Sequence, residues 1–266
     1  PQNPKTPHCG FDLILIKVKI GNMQARKNLV ENPLQHSMGA VNVGTSVMAI
    51  KFKDGVMVAA DTAISYGGMR KVKDARRIEK LNEECVYASS GEMADHQELA
   101  KQLRLMQERD EISDDGAIFL SPRDYFNFIA NHNYRRRLKM DPLWCTTVVG
   151  GVTKATGEVF LGQCDLYGTK VEANYLLTGL SAHYCQVLMA NAWREDLSEA
   201  EARAIIEDCM RVMFYRDKKA LDNIQISTVT VAGVVMHEPF KIESEWNLDW
   251  YRNMTNEKFR PIRVRI

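Results

Sequence analysis

Gly44-Thr45-Ser46-Val47-Met48-Ala49-Ile50-Lys51-Phe52-Lys53-Asp54-Gly55-Val56-Met57-Val58-Ala59-Ala60-Asp61 holds two apolar runs, Thr45–Phe52 and Val56–Ala60, on either side of Lys53-Asp54-Gly55. An Asp-Gly pair between strand-like runs predicts a β-hairpin, because both residues tolerate positive φ. A third strand-like run follows at Cys85–Ser90 and ends at Gly91.

Working outward, Leu99, Leu103 and Met106 recur at i, i+4 and i+7 and predict a helix over about Ala94–Arg109. Ser121-Pro122-Arg123-Asp124 reads as a helix start, with Ser as N-cap, Pro at the first position and an acid in the first turn. That helix is expected to run to about Arg137. Strands at Thr146–Gly151 and Val159–Gly162 come next, joined by a turn through Thr156-Gly157-Glu158. A helix near Ser181–Ala192 follows. Ser198-Glu199-Ala200-Glu201 matches a capping box, and Ala202, Ile205, Ile206, Cys209, Val212 and Met213 form the stripe behind it. Ile224–Val231 and Val234–Met236 close the pattern around Ala232-Gly233.

The order is strands, two helices, strands, two helices, strands. Helices arriving in pairs argue against a doubly wound sheet. The expected fold is α+β: two stacked antiparallel sheets with a helix pair on each outer face.

The 266 residues carry 35 Lys+Arg against 34 Asp+Glu, a net charge of +1. A nucleic-acid binder with a broad basic face is therefore not expected. Six cysteines (Cys9, Cys85, Cys145, Cys164, Cys185, Cys209) lie far apart with no C-x-x-C pair, which excludes the common zinc patterns and a dense disulfide framework. Reduced thiols in a cytosolic or nuclear protein are the expectation. The most apolar run, Leu13-Ile14-Leu15-Ile16, is cut short by Lys17 and Lys19, so neither a membrane span nor a signal peptide is expected.

Motif chemistry is sparse. Phosphate-cradling glycine loops and H-E-x-x-H are absent, and the histidines (8, 36, 96, 132, 183, 237) are scattered, which leaves no expected metal or cofactor. Gly179-Leu180-Ser181-Ala182-His183 approaches a nucleophile elbow, but His183 stands where the second glycine is needed. Ser181 reads better as a helix N-cap.

Gly44-Thr45-Ser46-Val47 and Lys51–Asp61, continued through Ser65-Tyr66-Gly67-Gly68, Ala88-Ser89-Ser90-Gly91 and Tyr215-Arg216-Asp217, resemble the β subunits of proteasomes over about residues 44–239. Asp141-Pro142-Leu143-Trp144, Val149-Gly150-Gly151 and Cys209–Asp217 narrow the resemblance to the seventh position of the β ring. The resemblance implies the four-layer αββα sandwich of N-terminal nucleophile hydrolases. It divides the chain into an N-terminal extension (1–44), a core (45–239) and a C-terminal arm (240–266).

Active members of that family cut themselves at a Gly-Thr bond. The freed threonine hydroxyl attacks, and its α-amino group, with a pKa near ~8, moves the proton. Carried over, the nucleophile place falls on Thr45, the aspartate place on Asp61, the oxyanion glycine on Gly91 and the later aspartate on Asp217. The lysine place falls on Arg77. Two expected serines are replaced by Leu180 and Ala220, and the glycine after the second is Leu221.

A guanidinium is large, planar and always protonated, so Arg77 cannot exchange a proton with a threonine hydroxyl. The resemblance therefore implies a catalytically silent subunit with Thr45, Asp61, Arg77, Gly91 and Asp217 as vestigial positions. The competing expectation is an active threonine peptidase using Thr45. The implied partners are the other α and β subunits of a stacked-ring assembly in cytoplasm and nucleus. Trp246, Trp250 and Tyr251, followed by Arg263 and Arg265, are residue types that dominate protein–protein contacts. The resemblance sends this arm into the opposite β ring.

Overall fold

A computed structural model describes residues 44–113 and 120–245. The opening hairpin is β1 (Val47–Phe52) and β2 (Gly55–Asp61), paired antiparallel with Phe52 opposite Gly55. The connecting residues are Lys53-Asp54, and neither Asp54 nor Gly55 has positive φ. The expected hairpin is present, but its glycine serves close approach instead of turn geometry. A Cβ on Gly55 would stand 2.0 Å from the Val229 carbonyl oxygen.

A short hairpin, β3 (Ile64–Tyr66) with β4 (Met69–Val72), precedes β5 (Ile78–Lys80) and β6 (Cys85–Gly91). Helices α1 (Met93–Ser113) and α2 (Pro122–Leu138) follow, the second opened by a complete Ser121/Asp124 capping box. Strands β7 (Cys145–Val152), β8 (Val159–Cys164), β9 (Lys170–Glu172) and β10 (Tyr175–Leu177) come next. Helices α3 (Ser181–Tyr184), α4 (Gln186–Ala192) and α5 (Glu199–Arg216) precede β11 (Asn223–Thr230), β12 (Gly233–Met236) and β13 (Phe240–Lys241).

One sheet runs β10-β1-β2-β11-β12, with β13 also on β11; the other runs β5-β6-β7-β8-β9. Every pairing is antiparallel. Side-chain alternation sorts β1 between two layers. Met48, Ile50 and Phe52 pack toward α5, with Ile206, Cys209 and Met213. Val47 and Ala49 face the other sheet, against Val86, Ala88 and Val148. A third apolar layer joins Tyr87 and Val149 to Leu99 and Leu103 of α1 and to Phe126 and Ile129 of α2. The result is helices, sheet, sheet, helices, as expected. Because both faces of the central strands are buried, their sequences read as continuous apolar runs.

Three expectations need correction. The helix over Ser181–Ala192 is two helices broken at Cys185, whose thiol turns inward and donates to the Cys209 carbonyl at 3.4 Å. Ser181 is the first residue of α3, and Leu180 holds the N-cap place without a side-chain bond. The core also does not stop at residue 239: β13 pairs with β11, and Ile242 is buried in the α5 layer. The cysteines at 85, 145, 164, 185 and 209 are free and buried. Cys9 lies outside the described residues.

The contact at Gly55 makes a prediction. Gly55→Ala forces β2 and β11 apart and should destabilise the fold by about 2 kcal/mol or more. Denaturant unfolding would show it as a lower midpoint.

Candidate functional site

At one end of the sandwich the two sheets meet around Thr45. Gly44 donates its N–H to the Gly91 carbonyl at 2.7 Å and bridges to Ile64. This seats the residue before Thr45 in the sheet. The Thr45 side chain is turned inward, and its hydroxyl donates to the Asp61 carboxylate.

Arg77, between β4 and β5, fills the space behind Thr45. Only 2% exposed, it is among the largest fully buried side chains of the described residues. Its guanidinium forms an ion pair with Asp61. Arg77 Nη1 donates to the Thr45 carbonyl at 2.8 Å and Nη2 to the Thr45 hydroxyl at 3.0 Å. Nη2 and Nε also reach the Asp61 carbonyl at 2.9 and 3.2 Å. Longer bonds of 3.4 Å run to the carbonyls of Ser46 and Ser89. A guanidinium has five N–H donors and no acceptor, and here it is surrounded by oxygen.

The second carboxylate oxygen of Asp61 accepts the Leu221 N–H at 3.1 Å. Burial pushes the Asp61 carboxyl up from its ordinary value, against the pull of Arg77, the Thr45 hydroxyl and the Leu221 N–H; Asp217 pushes the same way as burial. Asp217 itself caps the end of α5 and accepts the Lys219 N–H at 2.9 Å.

A cleft of about 740 Å³ opens beside Thr45, with Gly91 and Asp217 on its wall. Gly91 has φ +116, and a Cβ there would stand 2.3 Å from the Trp144 carbonyl oxygen. Asp61 and Arg77 do not line the cleft, because Thr45 stands between. The structure thus brings Thr45, Asp61 and Arg77 into direct contact and sets Gly91 and Asp217 at the cleft.

Leu180 lies on that wall, 43% exposed, while Ala220 is buried beside Asp217. Ser181 is wholly buried; its hydroxyl donates to the Thr178 carbonyl at 2.7 Å, and its N–H donates to the Ser46 hydroxyl at 3.0 Å. A nucleophile elbow is therefore excluded. Among the described residues no group of His, Cys, Asp or Glu is arranged to hold a metal. Trp246, Trp250, Tyr251, Arg263 and Arg265 lie outside the described residues.

Sequence reasoning missed part of the cleft. Arg70, Lys218 and Lys219 bring three cations to its lining, and Ser65, Ser90 and Thr146 bring hydroxyls. Arg70 sits on β4, whose residues are all exposed, so no apolar alternation marks it as a strand. Lys218 and Lys219 adjoin Asp217, and that nearness was their only signal.

The buried pair predicts asymmetric mutational costs. Arg77→Met leaves the Asp61 carboxyl buried without its cation and should cost about 3–5 kcal/mol. Adding Asp61→Asn should return part of that loss, so the double variant is less damaged than the two single effects summed. A double-mutant cycle by chemical denaturation measures the coupling.

Comparison with known proteins places this geometry. Residues 41–229 match the family described as proteasome subunit. The chain is 33% identical over 238 residues to Proteasome subunit beta type-4 of Arabidopsis thaliana, covering 90% of this chain and 95% of that protein. It is 36% identical over 218 residues to Proteasome subunit beta type-4 of Xenopus laevis, covering 81% and 89% respectively. Against Proteasome subunit beta type-7 of Saccharomyces cerevisiae the identity is 28% over 232 residues, or 84% and 86%. A match of this extent, on a sandwich whose sheets meet at Thr45, decides the matter: the chain belongs to the proteasome subunit family, among its β-type members.

Proposed function

We propose that this chain is a non-catalytic β subunit of the 20S proteasome core particle, at the seventh position of the β ring. One observation carries the reading: the lysine place of the active members holds Arg77, buried and committed to Thr45 and Asp61. A threonine nucleophile needs a nearby group that accepts its proton and returns it. The guanidinium stays protonated and offers no acceptor. While Gly44 precedes Thr45, the Thr45 nitrogen is an amide and has no basicity to contribute. The hydroxyls expected at positions 180 and 220 are absent as well.

Its role is structural. The subunit completes the β ring and the wall of the central chamber, and peptide bonds are cut by neighbouring subunits. The assembly degrades intracellular proteins, usually after ubiquitin marking, in cytoplasm and nucleus. Among the described residues no helix is long and apolar enough to cross a membrane. The partners are the other α and β subunits, and neither nucleic acid nor a membrane is required. Thr45, Asp61, Arg77, Gly91 and Asp217 are remnants of a catalytic site that now serve packing.

An electrophilic peptide that traps N-terminal threonines tests the silent site. In the assembled particle, the label is expected on neighbouring subunits and not on this chain. Mass-spectrometric detection of adduct on Thr45 would overturn the reading.

The C-terminal arm is the second element of the proposal. Trp246, Trp250 and Tyr251 with Arg263 and Arg265 offer large planar and cationic groups suited to an anchor in the opposite ring. Deleting residues 246–266 should weaken joining of the half particles. Native gels would show half particles accumulating, whereas an unchanged pattern counts against the arm.

A further inference from the structure

The C-terminal end of α2 and the turn over residues 165–169 form a surface distant in role from the cleft. Tyr134, Leu138, Met140 and Tyr167 are 48%, 64%, 63% and 52% exposed. The Arg137 guanidinium lies near both tyrosine rings, 6.0 Å from the Tyr134 centroid and 5.5 Å from that of Tyr167.

This surface is braced. Asn133 Nδ2 donates to the Asp165 carbonyl at 2.9 Å, and the Asp165 carboxylate accepts the N–H groups of Tyr167 and Thr169, both at 2.8 Å. Gly168, at φ +84, lets the turn lie against α2, where a Cβ would stand 2.8 Å from the Ala130 carbonyl oxygen.

Met140 breaks a local rule. It is the only non-glycine residue with positive φ among the described residues, at φ 58. It closes α2: its N–H donates to the Arg137 carbonyl at 2.9 Å, and the next N–H, of Asp141, reaches the Arg136 carbonyl at 3.2 Å. Helices that end this way ordinarily place glycine at the left-handed position, since a Cβ there is strained. The Met140 side chain points largely into solvent, so packing within the chain does not offset the strain. A strained residue held in place is a reason to look for function.

The charge is one-sided. Arg136 pairs with Asp141 at 2.8 Å, but no carboxylate among the described residues pairs with Arg135, Arg137 or Lys139. Neighbouring His132 senses this field: burial first, then Arg136, Arg135 and Lys139, push its pKa down against the pull of Glu98.

We propose that the end of α2 and the 165–169 turn form a docking face for an acidic protein surface on a neighbouring subunit. Carboxylates there meet Arg135, Arg137 and Lys139, while an apolar hollow takes Met140 and Leu138. Exposed Leu138 and Met140 beside the tyrosines favour a protein over a nucleic acid, and the Arg137 guanidinium already lies near both rings on which bases would stack. Methionine adapts to irregular hollows, and tyrosine with arginine is a combination common at binding hot spots. This inference rests on the reading of the chain as an assembled subunit.

The test is reconstitution of the full particle with wild-type and variant chains in competition. Met140→Gly relieves the left-handed strain, so the full chain should unfold at the same temperature or higher. Met140→Gly combined with Arg137→Glu should be under-represented in the particle by about tenfold, the loss expected for a hot-spot pair. Equal incorporation, or lost incorporation explained by a lower unfolding temperature of Met140→Gly, would overturn the inference. Failure of the wild-type chain to enter the particle would overturn the subunit reading instead. A photo-crosslinking residue at Leu138 should join this chain to an Asp- or Glu-bearing peptide of a neighbour. A crosslink to nucleic acid, or none, counts against the proposal.

Discussion

The Arg77 guanidinium is the interaction on which this end of the molecule depends. It bonds the carbonyls of Thr45 and Ser46 ahead of β1, of Asp61 at the end of β2, and of Ser89 on β6. Those strands belong to both sheets, so one side chain ties the two layers together. Burying a charge is costly unless it is paired and its donors are satisfied. Asp61 supplies the opposite charge and the carbonyls take the remaining donors. The fold tolerates a buried arginine only because its strand ends converge there.

Much of the architecture is legible in the amino-acid order, for a physical reason. Long central strands and helices with apolar stripes carry their burial in their spacing, as in Leu99 and Leu103 of α1 or Ile206, Cys209 and Met213 of α5. Caps are equally plain: Ser121 with Asp124 and Ser198 with Glu201 form the reciprocal bonds that their spacing announces. Short edge strands are not legible. β4 and β9 are exposed along their whole length, so nothing apolar alternates in them. The break at Cys185 also escapes, because it reflects how α3 and α4 each seat on α5.

The site was legible in a different way. Chain separation alone cannot place Thr45, Asp61 and Arg77 together, for they sit on separate segments joined only by tertiary pairing. The resemblance supplied their grouping, and elementary chemistry supplied the consequence of arginine. Gly55 marks the opposite case. Its composition signal is that of a turn, while the actual constraint is the Val229 carbonyl of the neighbouring strand, which only the assembled sheet reveals.

The open cleft beside a silent centre follows from the same constraints. Its walls are held by bonds that have nothing to do with chemistry at Thr45. The Ser46 hydroxyl accepts the Ser181 N–H, Asp217 ends α5, and Gly91 lets β6 pass the Trp144 carbonyl. Removing a proton acceptor leaves those bonds intact, so the cavity outlasts its use. An open cavity is therefore weak evidence of catalysis. Stronger evidence of function lies where a residue violates local preference without internal return. Arg77 violates the preference against buried charge but is repaid by partners within the chain. Met140 violates the preference for glycine; the bonds that end α2 hold its backbone, but its exposed side chain gains no matching burial within the chain, and the proposed partner would supply it.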